Sequence, residues 1–148
     1  MAMQTTFFVL FSLLMGAMLS IYLPMNSAVS RHLGSPITAN ITFFIVALLA
    51  SFLIYGVWGD PATVKKIKDV PWWLYCTGIF SAVMILGTTF LIPKVGVRKF
   101  FILTISGQIL TAIFVSHFGF LGTPKDPITL KKFLGAILVV FGAIFSVL

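Results

Sequence analysis

Residues 37–58 read ITANITFFIVALLASFLIYGVW and contain no charged residue. An α-helix of this length, rising about 1.5 Å per residue, crosses the ~30 Å hydrocarbon core of a bilayer. The stretch begins after Ser35-Pro36 and closes with Gly59-Asp60-Pro61, which are strong helix-start and helix-stop signals. The sequence therefore predicts a transmembrane helix here.

Four further stretches have the same character, and we predict a single transmembrane domain over residues 1–148 with five spans. The approximate bounds of the spans are 4–30, 37–58, 72–92, 97–121 and 129–148. Trp72-Trp73 opens the third span at the headgroup level, where tryptophan rings prefer to lie. The stretches lack the polar/apolar alternation of a membrane barrel, so the predicted fold class is an all-α integral membrane protein.

The composition supports a membrane protein and excludes several function classes. Hydrophobic residues make up 59% of the chain and charged residues 9%, with a mean hydropathy of +1.13, far from the soluble range. The net charge of +7 falls in short clusters between the apolar stretches, where it anchors spans and does not indicate nucleic acid binding. The sequence offers no metal-ligand cluster and no nucleophile-base pair, so we predict neither an enzyme nor a cofactor.

The basic residues divide almost evenly between the two membrane faces. Five spans place the termini on opposite sides, and six basic residues on the N-terminal face stand against four on the other. The six are Lys65, Lys66, Lys68, Lys125, Lys131 and Lys132, and the four are Arg31, Lys94, Arg98 and Lys99. Positive-inside orientation needs a clear excess. We therefore predict insertion in both orientations and an antiparallel, dual-topology dimer.

Ionisable residues are missing from the central turns of the spans, and the chain contains no glutamate. Proton-driven transporters usually depend on a titratable group within the membrane, most often a carboxylate. The remaining candidates are His117 near the end of the fourth span and His32 in the first connection. Of these, His117 is the residue that we predict for proton coupling.

Small and polar residues share one face of the first span. Ser12, Gly16, Ser20 and Ser27 fall within about 80° of one another, and Asn26 lies close to that arc. A close helix-packing seam would explain the small residues. Asn26 follows a proline that frees a backbone carbonyl, and its own amide needs hydrogen-bond partners. We predict Asn26, Ser20 and Ser27 as substrate-binding residues, with helix packing as the alternative.

Gln108 shares a face of the fourth span with Thr104 and Thr111. A buried amide in the bilayer must be hydrogen-bonded. Either Gln108 bonds to a neighbouring helix, or the three residues face the same solute cavity as Asn26, which is the substrate-binding interpretation that we predict. Tyr22, near the end of the first span, is either an interface anchor or a surface on which an organic cation could stack.

The last span carries two small-residue stripes. Gly135 and Gly142 are two turns apart, and Ala136 and Ala143 repeat the spacing beside them. Small residues let another helix backbone approach closely. We predict that these four residues form a helix-helix interface, between subunits in preference to within one subunit.

Several short motifs together support a family resemblance. They are Leu23-Pro24-Met25-Asn26-Ser27, Leu33-Gly34-Ser35-Pro36, Ser106-Gly107-Gln108, the run from His117 to Gly122, and Lys132 to Gly135 followed by Gly142. With them the chain resembles, over nearly its whole length, the YdcZ-like five-helix branch of the drug/metabolite transporter superfamily. This resemblance implies a half-transporter of the inner membrane, in which two five-helix units, identical or paralogous, associate in opposite orientations.

The glycine stripe also resembles the dimer-forming last helix of the related small multidrug resistance transporters. Those transporters carry an essential glutamate in their first helix, which this chain lacks. Members of the five-helix branch often have Asp immediately before the histidine of the motif, where this sequence has Ser116. The resemblance therefore supplies no carboxylate-based coupling.

These features predict a small-solute transporter that works by alternating access as a dual-topology dimer. Without a buried counter-charge, a small neutral or weakly polar solute fits better than a bare cation, whose desolvation would be uncompensated. The expected partners are the lipid bilayer, a second five-helix subunit and the solute. The alternative is a non-transporting accessory or structural membrane protein that associates through its last helix.

Overall fold

The protein is helical throughout the part that the structure describes. The computed structural model describes residues 2–148, with side-chain surroundings from Thr5 onward. The helices are α1 (Ala2–Leu33), α2 (Pro36–Trp58), α3 (Pro61–Val64), α4 (Thr77–Val95), α5 (Val97–Phe118) and α6 (Leu130–Val147), with 3-10 turns at Lys65–Asp69, Trp72–Cys76 and Phe120–Gly122.

Five helical segments are long and apolar enough to cross a membrane. They are Thr5–Leu33, Pro36–Trp58, Trp72–Val95, Val97–Phe118 and Leu130–Val147. The third of these joins the 3-10 turn at Trp72–Cys76 to α4. An all-helical protein with five membrane-spanning helices, as predicted from the sequence, is thereby confirmed.

The helix ends follow local signals in the sequence. α1 contains Pro24 and continues to Leu33. Gly34 then adopts a positive φ of 68°, and Ser35 caps α2 by accepting a 3.2 Å hydrogen bond on its Oγ from the Thr38 amide. Gly96 alone joins α4 to α5 with φ 82° and ψ 151°, a backbone conformation that is almost restricted to glycine.

The chain divides into two compact units, Met1–Lys94 and Val95–Leu148. In the first unit α2 packs along α1, and α4 is joined to α1 by side-chain hydrogen bonds. In the second unit α5 packs along α6. Each unit has buried residues of its own, and the candidate sites described below lie within one unit or the other.

Small and polar side chains fill much of the interior of both units, while large apolar side chains lie outside. The buried residues are Leu23, Asn26, Ser27, Ser30, Ala39, Ile85, Thr88, Thr89 and Ile92 in the first unit, and Phe100, Ser106, Ala136 and Ala143 in the second. By contrast Leu53 and Phe80 are each 74% exposed. Lipid tails are as apolar as leucine, so close approach and hydrogen bonding decide what is buried.

Candidate solute-binding groove

A buried hydrogen-bonded cluster joins α1 to α4. Asn26 Nδ2 donates to Thr89 Oγ1 over 2.8 Å, and Ser27 Oγ donates to the Thr89 carbonyl over 3.4 Å. Thr89 Oγ1 in turn donates to the carbonyl of Ile85 over 2.7 Å. Asn26 is 6% exposed, Ser27 0% and Thr89 1%. Buried polar groups of the two helices are thus hydrogen-bonded to one another.

The cluster also fixes which way the Asn26 amide points. Thr89 has one hydroxyl proton, and the Ile85 carbonyl accepts it. The Thr89 oxygen is therefore the acceptor, and Asn26 must present its nitrogen and not its oxygen. Within the described chain no hydrogen bond reaches Asn26 Oδ1. An acceptor in the C-terminal third of α1 is left available for another group.

Asn26 lines a shallow groove of about 390 Å³ between α1 and α2. The Tyr22 and Phe43 rings stack across it with their centroids 5.9 Å apart and their planes inclined by 22°. Thr42 Oγ1 donates its proton to the Ala39 carbonyl over 2.9 Å, so this hydroxyl can still accept a hydrogen bond. The complete lining is Tyr22, Met25, Asn26, Val29, Thr42, Phe43 and Val46.

The lining of the groove is chemically suited to an uncharged molecule. No formally charged side chain lines it, and its polar groups are one amide and two hydroxyls. Ligand sites typically combine apolar and aromatic walls with a few polar groups that set orientation. The groove has this composition, and the Asn26 carbonyl oxygen provides a hydrogen-bond acceptor.

Two other residues predicted for substrate binding on α1 lie outside this groove. Ser20 is exposed, and its Oγ donates to the Gly16 carbonyl over 3.2 Å within the same helix. Ser27 is fully buried in the cluster with Thr89. Asn26 is thus the predicted α1 residue that the groove and the buried cluster share. A binding role for Asn26, Ser20 or Ser27 stays a prediction.

The polar residues predicted on α5 lie in the second unit. Gln108 and Thr111 are exposed, and Thr104 is half-buried. Within residues 5–148 the Gln108 amide makes no hydrogen bond. An amide in the apolar part of a membrane needs partners. Gln108 therefore has its full bonding capacity available to a group outside this hydrogen-bond network, and its role in binding stays a prediction.

His117 ties the end of α5 to the connection that leads into α6. Its Nδ1 accepts a 3.1 Å hydrogen bond from the Ile128 amide, and its ring meets the Phe118 ring edge-on at 4.7 Å. An Nδ1 that accepts this bond carries no proton, so the neutral ring holds its proton on Nε2. Binding a second proton at Nδ1 would break the bond to Ile128. Proton coupling through His117 stays a prediction.

The two small-residue stripes of α6 have different surroundings. Ala136 and Ala143 are buried, at 8% and 7% exposure. Gly135 and Gly142 are exposed, and a Cβ added at either would meet nothing within 4 Å. The alanine stripe is therefore covered within this chain, while the glycine stripe is open. The dimer interface predicted for all four residues stays a prediction, and the glycines are the members with room for another helix.

Sequence reasoning passed over two residues that matter here. Thr89 was not singled out, although it is the bonding partner of both Asn26 and Ser27. Asn40 on α2 was also missed, and its Oδ1 is a buried atom without a hydrogen-bond partner among the described residues. Both are polar residues in an apolar span, and this feature of the sequence could have marked them as candidates. The pairing of residues about sixty positions apart was not contained in any local pattern.

The fold and the groove are accompanied by a match over most of the chain. A family model described as "Putative inner membrane exporter, YdcZ" covers residues 7–145. The chain belongs to this YdcZ family. It is a multi-pass inner membrane protein, and the family is described as one of inner membrane exporters. The resemblance drawn from short motifs is confirmed. Comparison with curated proteins and with solved structures gives no match.

Replacing Thr89 by Val in this YdcZ-family protein keeps the shape of the side chain and removes its hydroxyl. We expect the free energy of unfolding to fall by about 1–3 kcal/mol, because Asn26 Nδ2 is left buried without its acceptor. Unfolding in detergent micelles measures the loss, and Thr89→Ser should recover most of it. The control is Thr111→Val, an exposed threonine of α5. Equal losses in Thr89→Val and the control would contradict the role given to Thr89.

Replacing His117 tests its bond to the connection before α6. In His117→Phe the Ile128 amide loses its acceptor, and we expect its hydrogen exchange to accelerate by about tenfold, the equivalent of roughly 1.4 kcal/mol. In His117→Asn the new Oδ1 lies near the former Nδ1 and should keep much of the protection. Exchange measured by NMR in micelles reports both, with the Phe133 amide, bonded to Thr129 O, as the internal control. Unchanged exchange at Ile128 in the Phe variant would refute the bond.

Proposed function

We propose that this chain is one half of an inner membrane exporter for small neutral or weakly polar solutes, with the groove between α1 and α2 on the solute pathway. The observation that carries the proposal is the free Asn26 carbonyl oxygen in an apolar groove without a charged side chain. Membership of a family described as exporters supports transport out of the cell.

The groove favours a solute with a hydrogen-bond donor and an apolar or aromatic body. Asn26 Oδ1 accepts one hydrogen bond from the donor, and the stacked pair of Tyr22 and Phe43 offers a flat apolar wall. A bare cation would leave its hydration shell without meeting a negative charge, and that desolvation costs several kcal/mol or more. An uncharged solute loses far less on entering.

A second subunit would complete the pathway. The groove is open along one side, and five helices are few to enclose a solute route. We propose that an identical or paralogous subunit in the opposite orientation supplies the missing wall, as in transporters whose site lies between inverted repeats. The exposed Gln108 and Thr111, with the half-buried Thr104, provide polar groups for such a shared cavity.

The open stripe of α6 is the surface that we propose for the subunit contact. Gly135 and Gly142 leave room for a second helix backbone, and Leu138 and Phe145 lie on the same side of α6 with 71% and 81% exposure. Close backbone approach between small residues is a common way for helices to associate in lipid. Ala136 and Ala143 would contribute indirectly, because they belong to the buried side of the same helix.

We propose that transport by alternating access in this dimer is coupled to protons weakly or not at all. The spans carry no carboxylate, and His117 Nδ1 is already bonded to the Ile128 amide. If protons drive export, the proposal assigns the coupling to His117, because its protonation would release the connection before α6. A transporter without such coupling would instead equilibrate the solute down its gradient.

Filling the groove tests the solute pathway. Val46→Trp adds a large ring to the lining of the groove, and we expect uptake into proteoliposomes to fall by about tenfold or more, since a solute and the indole cannot share the space. The control is Val57→Trp, which adds the same ring to the same helix at a 70% exposed position outside the groove. A solute panel is screened first with the unmodified protein, with and without a proton gradient. Equal transport by the two variants would contradict the proposal that the groove is the solute pathway.

Labelling from both sides of the membrane tests the dual topology. Thr63 lies in the exposed helix α3, so a single cysteine there reports on which side the loop faces. In Thr63→Cys made on a Cys76→Ser background, we expect a membrane-impermeant thiol reagent to label part of the population from each side. His32→Cys, in the exposed end of α1, is the matched position for the opposite face. Labelling of Thr63→Cys from one side only, in a homogeneous sample, would exclude the antiparallel homodimer.

A further inference from the structure

A second cavity, of about 200 Å³, lies between α5 and the start of α6. Its lining is Ile109, Ala112, Ile113, Ser116, Asp126 and Lys132. The three polar residues belong to the ends of the helices and to their connection, and the apolar residues lie further along α5. Ser116 and Ile109 are separated by about 10 Å along the helix axis. The cavity therefore has a polar end and an apolar end.

The direction of this polarity matches that of the bilayer. Ser116 lies two residues before the end of α5, Lys132 lies in the first turn of α6, and Asp126 is in the connection between them. Both helices are long and apolar enough to cross the membrane, so their joined ends lie at its surface. The polar end of the cavity is consequently at headgroup level, and the apolar end reaches toward the acyl chains.

Two hydrogen-bond donors at the polar end have capacity left. Lys132 Nζ pairs with the Asp126 carboxylate and donates to the Pro127 carbonyl over 3.1 Å, which uses two of its three protons. Ser116 Oγ makes no hydrogen bond within the described chain. The ion pair is partly exposed, with 37% of the Lys132 side chain and 63% of the Asp126 side chain accessible, so a ligand can join it without breaking a buried pair.

The charge around this end is positive. Residues 123–132 contain three lysines and one aspartate, a net charge of +2. The stem of Lys125 crosses the end of α5, because a Cβ added at Gly119 would lie 2.6 Å from Lys125 Cγ. Basic pockets between transmembrane helices at the membrane surface are suited to anionic lipid headgroups.

We propose that this cavity binds the phosphate ester of an anionic phospholipid. Lys132 Nζ and Ser116 Oγ donate to the phosphate oxygens, Lys125 adds positive charge, and an acyl chain lies against Ile109, Ala112 and Ile113. The bound lipid links the end of α5 to the start of α6 from outside the polypeptide. This site is separate from the solute groove, and the proposal does not rest on the transport function.

Native mass spectrometry of the delipidated full-length protein, titrated with phosphatidylglycerol, tests the site. We expect saturable binding of one lipid per chain. Lys132→Gln should weaken this binding by about tenfold, the loss of one charge-assisted hydrogen bond. Ser116→Ala should weaken lipid binding less than Lys132→Gln does. The Ser116 hydroxyl makes no hydrogen bond within the described chain, so this variant should fold and tests the site even if Lys132→Gln does not fold. Lys132→Arg should bind like the unmodified protein. Lys68→Gln, an exposed lysine outside the cavity, is the charge-matched control.

Two further ligands test whether the cavity prefers an anionic lipid over a zwitterionic lipid or a soluble phosphate ester. Phosphatidylethanolamine should bind more weakly than phosphatidylglycerol because of the net positive charge, and soluble glycerol phosphate more weakly still because it lacks the acyl chain. Equal binding by Lys132→Gln, Ser116→Ala and Lys68→Gln would overturn the site. If phosphatidylethanolamine binds more tightly than phosphatidylglycerol, the proposed preference for an anionic lipid is wrong. If glycerol phosphate binds as tightly as phosphatidylglycerol, the proposal that the ligand is a lipid is wrong.

Discussion

One hydroxyl group, Thr89 Oγ1, links α1 to α4 within the first unit. It donates along its own helix to the Ile85 carbonyl and accepts from Asn26 on α1. Because its proton is already used, Asn26 must offer nitrogen to it, and the amide oxygen is left for the groove. One of the two side-chain hydrogen bonds that join α1 to α4 thus also orients the only amide of the groove. In an apolar solvent, where an unpaired polar group is costly, such a shared atom constrains structure and site together.

Among the other polar side chains of the spans, four serines and two amides differ in how their hydrogen bonds are satisfied. Ser12, Ser20, Ser51 and Ser106 each donate to the carbonyl four residues earlier, so their own helix satisfies them. Gln108 is exposed without a hydrogen bond in the described chain, and Asn40 has a buried oxygen without a partner there. An amide cannot close such a bond with its own helix as easily as a serine can. The unsatisfied amides are therefore the places where a partner from elsewhere gains most.

Local chemistry explains how much of this molecule could be predicted from its sequence. Apolar length gave the five spanning helices, and Ser35-Pro36 and Gly59-Asp60-Pro61 marked the limits of α2, because helix length and capping depend on neighbours in the chain. Asn26 was recognisable as a candidate site residue because an amide in an apolar span needs hydrogen-bond partners. Its partner was not recognisable, since Thr88 and Thr89 are adjacent threonines and the sequence does not say which one faces α1. The groove wall made by Tyr22 and Phe43 depends on the register of α2 against α1, which is a tertiary property.

The last helix shows why a repeated spacing is not sufficient to define an interface. Gly135 and Gly142 share a spacing of seven with Ala136 and Ala143, yet adjacent residues on a helix point about 100° apart and meet different surroundings. The alanines are buried, and the glycines are open. A glycine in the interior of a helix costs about 1 kcal/mol relative to alanine, so two of them on an open face gain nothing for the single chain. Close approach by a second helix would offset that cost. The position of the glycines therefore supports the proposal that this protein associates with another subunit along α6.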